Sequence, residues 1–216
     1  MRTPEVQRRR RLLELAREWD FLVLEDNVYG ELRYTGETLP TLFALDTSDR
    51  VVKIDSFSKT VAPALRLGWV TGHPDAIAAL SAVRGDLGVS QWVARVVEAF
   101  LAEELYDPHL DKIRAVYRDK RDVAVAALEQ HCAGSLESNV PDGGYFLWCT
   151  LADGIDGHEV MKRAFADGVV CRPGERFFGD PEPAKSFFRL AFTMVPREEI
   201  EPGIAALGRA IAASAR

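Results

Sequence analysis

Two periodicities alternate along the chain. Phe21-Leu22-Val23-Leu24 and Val51-Val52-x-Ile54 are apolar runs too short for helices and rich in β-branched residues, so each predicts a buried strand. A further strand is expected over Leu67 to Thr71. Before the first strand, Leu12, Leu15, Ala16 and Trp19 recur at helical spacing, which predicts a helix with Thr3 as N-cap, Pro4 in the first turn and Glu5 facing the positive end. Gly30 to Asp49 has no period and reads as turn-rich. His73-Pro74-Asp75 leads into a helix to Val83, and Arg84 to Ser90 is a glycine-broken link.

From Gln91 to His131 the pattern is helical, with one break expected at Asp107-Pro108 and a stop near Gly134. The first of these helices is expected to bury Val93, Val96, Val97, Phe100 and Leu101; the second carries Leu110, Ile113, Tyr117, Ala124 and Leu128 at helical intervals. Strands then follow at Tyr145 to Leu151, Val169 to Cys171 and Phe187 to Met194, with a helix at His158 to Asp167. Ile200, Ile204, Leu207 and Ile211 mark a closing amphipathic helix. The fold class read from this order is α/β: a partial sheet domain over 1–107, then a smaller α+β domain over 108–216.

Composition narrows the classes of function. With 216 residues, 47% of them hydrophobic and 28% charged, the chain is an ordinary globular protein able to bury a core. The net charge of −6 argues against nucleic acid as a partner, and no apolar run is long enough for a membrane span. The run Arg8 to Arg11 is interleaved with Glu5, Glu14 and Glu18 and reads as a solvated helix face. Cys132, Cys149 and Cys171 leave an odd thiol under any pairing, which points to a reducing, cytoplasmic setting. His73, His109, His131 and His158 lack partners at metal-ligand spacing, so no metal is expected.

The candidate chemistry lies at strand ends. Ser56-Phe57-Ser58-Lys59 closes one strand, and Pro63 and Arg66 precede the next. An amine, two hydroxyls and a guanidinium in one loop suit a phosphate-bearing aldehyde: a lysine with a lowered pKa can form a Schiff base, and an arginine can fork onto a phosphate. Asp26 and Tyr29 sit just beyond the other strand, where a carboxylate can keep a pyridine nitrogen protonated and a phenol can hold a ring oxygen. Taken singly, Ser-x-Ser-Lys reads as a solvated loop and Asp26-Asn27 as a plain turn. The two clusters in order along the chain argue against coincidence. Arg189 stands within an apolar strand, where it either pairs with an internal acid or waits for a carboxylate from outside. Exposed loop positions are the default for Arg172 and Arg176.

Together these residues resemble the signature of the fold-type I, class I/II aminotransferases, which depend on pyridoxal 5'-phosphate, and especially the branch with 2-aminoadipate and aromatic aminotransferases. The resemblance rests on Asp26-x-x-Tyr29, Ser56-Phe57-Ser58-Lys59 and Arg66-Leu67-Gly68, and continues through Pro141-Asp142-Gly143-Gly144-Tyr145-Phe146 and Phe188-Arg189-Leu190-Ala191-Phe192. It implies that Asp26 pairs with the pyridinium nitrogen and Tyr29 with the ring oxygen, that Lys59 is the Schiff-base lysine, and that Ser56, Ser58 and Arg66 hold the phosphate. Arg189 would grip the α-carboxylate of the substrate. The implied reaction moves an amino group between an α-amino acid and a 2-oxo acid, as part of amino acid metabolism, in a homodimer or with a complementing N-terminal half.

Members of that family are far longer, and the likeness covers only their second half. The glycine-containing phosphate loop, the aromatic that stacks on the coenzyme and several strands have no counterpart here, so the sheet is expected to leave an edge and an apolar face uncovered. The chain is expected to be a fragment, a truncated product or one part of a split enzyme. The alternatives are a non-catalytic sensor module like that of MocR-type transcription regulators, and a lyase or decarboxylase of the same fold.

Overall fold

The computed structural model describes residues 5–86, 88–179 and 185–215. They form two compact units, one ending at Arg114 and the other beginning at Ala115.

In the first unit, helix α1 (Val6–Glu18) starts with Glu5 as an N-cap that makes no side-chain cap bond. The expected N-cap Thr3 and first-turn Pro4 lie outside the described residues. Leu13 and Ala16 are the buried positions of α1, whereas Leu12 and Trp19, expected to pack, are exposed. The packed stripe is thus turned by about one residue, and Arg9 lies along it. Its guanidinium donates to the Pro40 carbonyl at 2.7 Å and lies 3.9 Å from Glu25, so one of the four consecutive arginines leaves the solvated face expected for all of them. Leu13 and Ala16 form one core with Val23 and Val51.

Those valines open strands β1 (Val23–Asp26) and β2 (Val51–Ser56), which pair in parallel, Val23 beside Val51 and Asp26 beside Ile54. Strand β3 (Gly68–Thr71) pairs antiparallel with β2, giving the order β1-β2-β3. The first strand is less buried than its apolar run suggests: Leu24 is 65% exposed, and Phe21 and Leu22 are exposed too. Alternation explains this, because Val23 points at α1 while Leu24 points to the other face. On that second face Val70 is also exposed, as the uncovered apolar surface expected from the sequence requires.

The stretch read as irregular holds a one-turn helix, α2 (Leu42–Leu45), capped by Thr41 and by Glu25, whose carboxylate accepts from the Leu42 and Phe43 N–H groups. Asp46 then organises the entry to β2. It accepts from the Ser48 hydroxyl and from the backbone N–H groups of Ser48, Arg50 and Val51. Burial pushes its carboxyl up, but these four donors outweigh burial and hold it below its ordinary value.

Helices α4 (Pro74–Ala82), α5 (Gln91–Ala102) and α6 (Tyr106–His131) follow the short helix α3 (Phe57–Thr60) described below. The break between α5 and α6 lies before Tyr106, at Glu104 with φ +56°, rather than at Asp107-Pro108. Pro108 falls in the first turn of α6, where a missing N–H costs nothing. Of the five α5 residues expected to be buried only Val97 is so, and Val96 and Leu101 are exposed. No described helix is long and apolar enough to cross a membrane.

The second unit carries an antiparallel sheet of order β4-β5-β7-β6, from β4 (Leu136–Ser138), β5 (Phe146–Leu151), β6 (Arg172–Pro173) and β7 (Phe187–Ala191). The short strand read at Val169 to Cys171 is displaced to Arg172–Pro173, where Pro173 sits on an edge that asks no N–H of it. Leu147, Cys149, Leu151, Phe188 and Leu190 are buried on one face; helices α7 (Gly157–Ala166) and α8 (Arg197–Ser214) bury Val160, Ala164, Ile200, Ile204, Leu207 and Ile211. The three cysteines are free, and burial pushes the thiols of Cys132 and Cys171 up to about 11 and about 12.

Asp46 gives a pH test. Its carboxyl is depressed in the folded state, so its contribution is complete above the ordinary carboxylate value of 3.8 and disappears as pH falls below it. Asp46→Asn keeps one acceptor but not the others, and is expected to lose roughly 1–3 kcal/mol of unfolding free energy at pH 7. Urea melts should show this loss shrinking in acid; an equal loss at pH 7 and pH 3 would contradict the assignment.

Candidate active site

Strand β2 runs directly into α3, a single turn that carries Lys59. Ser56 makes the junction. In extended conformation it is the N-cap of α3, its hydroxyl accepting from the Ser58 N–H and donating to the Leu67 carbonyl, both at 3.1 Å. The Phe57 N–H bonds to the same carbonyl at 3.1 Å, so the loop from Ser56 to Leu67 is closed at its base. Ser58 is buried, and Lys59 is half-buried with Nζ 5.8 Å from the centre of the Tyr29 ring.

Asp26 ends β1 at the same edge. Its exposed carboxylate accepts from the Val28 N–H at 3.3 Å. The turn to Tyr29 is fastened to β2 by Asn27, whose backbone N–H bonds the Ile54 carbonyl at 2.9 Å and whose side-chain amide donates to Asp55 Oδ1 at 2.8 Å. Asp55 is buried, and Lys53 Nζ lies 2.9 Å from its other oxygen. Sequence reading missed Asp55. An acid two residues past Lys53 and in phase with Val51, on the face of β2 that packs inward, was the available signal.

Past α3 the chain turns through Pro63–Leu65 and reaches Arg66, which is exposed and left-handed at φ +49°. Such a conformation costs a non-glycine residue about 1–2 kcal/mol and collects at functional loops. Gly68 follows because nothing larger fits: a Cβ there would lie 2.7 Å from the Asp55 carbonyl.

Behind α3 stands an aromatic wall. Phe57 packs on Trp69 at 4.7 Å and edge-on to Tyr106 at 6.0 Å, and Phe100 meets both Tyr106 and His109 edge-on. Tyr106 donates to the Glu31 carboxylate, and Arg114 binds the Glu31 carbonyl at 2.7 Å. Burial, then the bond to Glu31, holds the Tyr106 phenol well above its usual range. His109 Nε2 is 2.9 Å from the Thr60 carbonyl. The fold of this unit therefore gathers Asp26, Tyr29, Ser56, Ser58, Lys59 and Arg66 at the carboxyl ends of a parallel pair, where open α/β sheets bind ligands.

Arg189 belongs to the second unit. On β7 it pairs in register with Trp148 and Arg172, and its guanidinium lies between two rings, 3.9 Å from the centre of Phe146 and 4.5 Å from that of Phe177. These are cation–π contacts, which hold the guanidinium against both rings. Trp148, Phe178 and Phe187 extend the aromatic surface, with Trp148 stacked on Phe187 at 5.9 Å. Helix α6 fixes the glycine turn before β5: buried Arg121 donates to the Pro141 carbonyl at 2.9 Å, and Tyr117 packs on Tyr145 at 5.1 Å. Arg172 and Arg176 are both exposed.

Gly68→Ala would push a methyl into the Asp55 carbonyl and pry β3 from β2. The expected cost is roughly 1–3 kcal/mol in a urea melt, and an unchanged midpoint would contradict the close approach.

Comparison with known proteins shows which family shares this sequence and fold. The family model for aminotransferase class I and II matches residues 4–207. The chain is 38% identical to aromatic-amino-acid aminotransferase 1 of Thermococcus litoralis over 97% of its own length and 50% of that protein. It superposes on the crystal structure of Pyrococcus horikoshii kynurenine aminotransferase, in complex with PMP and with kynurenine as substrate, with a TM-score of 0.93 and 36% identity, covering 99% of this chain and 53% of that one. The HTH-type transcriptional regulator TauR of Rhodobacter capsulatus is 32% identical over 97% of this chain and 43% of its own length. The chain spans about half the length of the relatives it matches. A family match over nearly the whole chain, on a fold that carries the lysine loop at the sheet edge, makes this protein a member of the class I and II aminotransferases.

Proposed function

We propose that the chain carries the lysine-bearing part of a pyridoxal 5'-phosphate aminotransferase, which moves an amino group between an α-amino acid and a 2-oxo acid. The observation that supports this most is Lys59 on a rigid turn at the end of β2, with its amine over Tyr29 and Asp26 ending the neighbouring parallel strand. The residues fit the coenzyme chemically: an amine for its aldehyde, an acid for its ring nitrogen, a phenol for its ring oxygen, and a hydroxyl and a guanidinium for its phosphate. Residues 1–107 would hold the coenzyme, and residues 108–216 would form the smaller substrate-side domain.

When bound, pyridoxal phosphate supplies an electron-poor ring that stabilises negative charge at the substrate Cα. Asp26 would keep the ring nitrogen protonated and Tyr29 would donate to the ring oxygen. The Lys59 amine would hold the coenzyme and, as the neutral amine, would serve as the base that takes the proton from the substrate Cα. Ser58 and Arg66 bind the phosphate; Ser56, whose proton goes to Leu67, keeps their loop in place and joins them only by releasing that bond. Arg189 takes the α-carboxylate with a fork of N–H groups, and the rings of Phe146 and Phe177 restrict it to presenting an edge.

The exposed apolar face of β1 and β3, together with relatives twice as long in the matched comparison, supports a partner that is a second copy or a polypeptide with the remaining half of the fold. Three free cysteines favour a reducing, cytoplasmic setting. A sensor module related to the regulator would differ in one measurable respect, binding without turnover.

Incubation with pyridoxal phosphate, borohydride reduction and peptide mass spectrometry should place the label on Lys59, and Lys59→Ala should lose it. Label spread over other lysines, or unchanged in Lys59→Ala, would overturn the proposal. In the assembled enzyme, Arg189→Ala should raise the substrate KM roughly 10- to 100-fold, the worth of a charged hydrogen-bonded pair, with coenzyme affinity nearly constant. Unchanged kinetics would remove Arg189 from the site.

A further inference from the structure

The turn that carries Lys59 ends in a carbonyl that the helix does not use. Helix α3 is four residues long; the N–H groups of Val61 and Ala62 both return to the Phe57 carbonyl, at 2.8 and 3.1 Å. The chain then leaves helical geometry, and Thr60 is only 3% exposed, so water is not a ready partner for its carbonyl. His109, in the first turn of α6, meets it: Nε2 lies 2.9 Å from the Thr60 oxygen. A carbonyl only accepts, so the ring must carry its proton on Nε2. Phe100 stands edge-on to the imidazole at 5.8 Å and fixes its plane. At the other end of the turn Phe57 is held by Trp69 and by Tyr106, which the Glu31 carboxylate restrains. The first turn of α6 thus grips both ends of the segment Phe57–Thr60.

We propose that His109 is a positioning residue for Lys59, acting through the Thr60 carbonyl, which belongs to the residue next to the lysine. This rests on the reading of Lys59 as the coenzyme lysine. Without the bond, the last peptide of α3 turns to find another donor, and the Lys59 Cα–Cβ direction turns with it. A shift of about 1 Å at such an amine is enough to change its reaction rate by one to two orders of magnitude.

The test compares His109→Leu, which keeps bulk and loses the donor, with His109→Gln, whose amide reaches to about the position of Nε2. The readout is the rate of borohydride-trapped attachment of pyridoxal phosphate to Lys59, with circular dichroism as the control for folding. His109→Leu should be slower by about tenfold and His109→Gln within about twofold of the natural protein. A Leu variant at the natural rate, or a Gln variant as slow as Leu, would overturn the proposal. The natural protein supplies a second measurement that no folding defect can confuse: long-range ¹⁵N–¹H spectra of the four imidazoles, with the His109 signals identified by their loss in His109→Gln. The Nε2–H tautomer is expected, and an Nδ1–H tautomer at His109 would overturn the proposal. If the natural protein is not labelled at Lys59, the coenzyme reading fails on its own and the tautomer alone decides the His109–Thr60 bond.

Discussion

One carbonyl, that of Leu67, holds the candidate site in shape. It receives the hydroxyl of Ser56 and the N–H of Phe57, and so joins the end of β2 to the start of β3 across a loop that contains Lys59 and Arg66. Closing that loop turns a flexible segment into a fixed one, and the entropy is met locally by backbone bonds rather than by the ligand. The same serine caps the turn it closes. Strain follows at the far side, where Arg66 is left-handed, and the close approach at Gly68 lets β3 return beside β2. The backbone that carries Lys59 and Arg66 is therefore closed at its base by bonds of its own.

Support for this loop comes from two directions within the first unit. Asn27 and Asp55 tie the Asp26–Tyr29 turn to β2, while Phe57, Tyr106, Phe100 and His109 back the lysine turn from α6. Within this backing Asn27 pairs with Asp55, Tyr106 with Glu31 and His109 with the Thr60 carbonyl. In the second unit the logic differs. There the Arg189 guanidinium on β7 lies against the rings of Phe146 and Phe177, which restrain its position.

Much of this was legible in the sequence, and the limits were physical. The short apolar runs located β1, β2 and β3, and Ile200, Ile204, Leu207 and Ile211 located α8. Strand exposure was not legible, because an apolar run tells only that burial is available; Leu24 faces away from α1 and is open. The α5–α6 break was misplaced since proline stops a helix in its interior but not in its first turn, where Pro108 lies. Arg9 escaped notice among its neighbours, as its partners Glu25 and the Pro40 carbonyl are distant in sequence. For the same reason no spacing pointed to His109 and Tyr106, whose partners Thr60 and Glu31 are 49 and 75 residues away. Local chemistry reads from local sequence, and long-range backing does not.

The central claim is that the Lys59 amine, the Asp26 carboxylate and the Arg66 guanidinium converge on one small molecule at the end of the β1–β2 pair. A crystal structure of the chain after reduction with pyridoxal phosphate measures this directly. The account predicts continuous density from Lys59 Nζ to the coenzyme, the Asp26 carboxylate within hydrogen-bond reach of the ring nitrogen and the Arg66 guanidinium on the phosphate. A Lys59 side chain extended into solvent, with the coenzyme bound elsewhere, would contradict it.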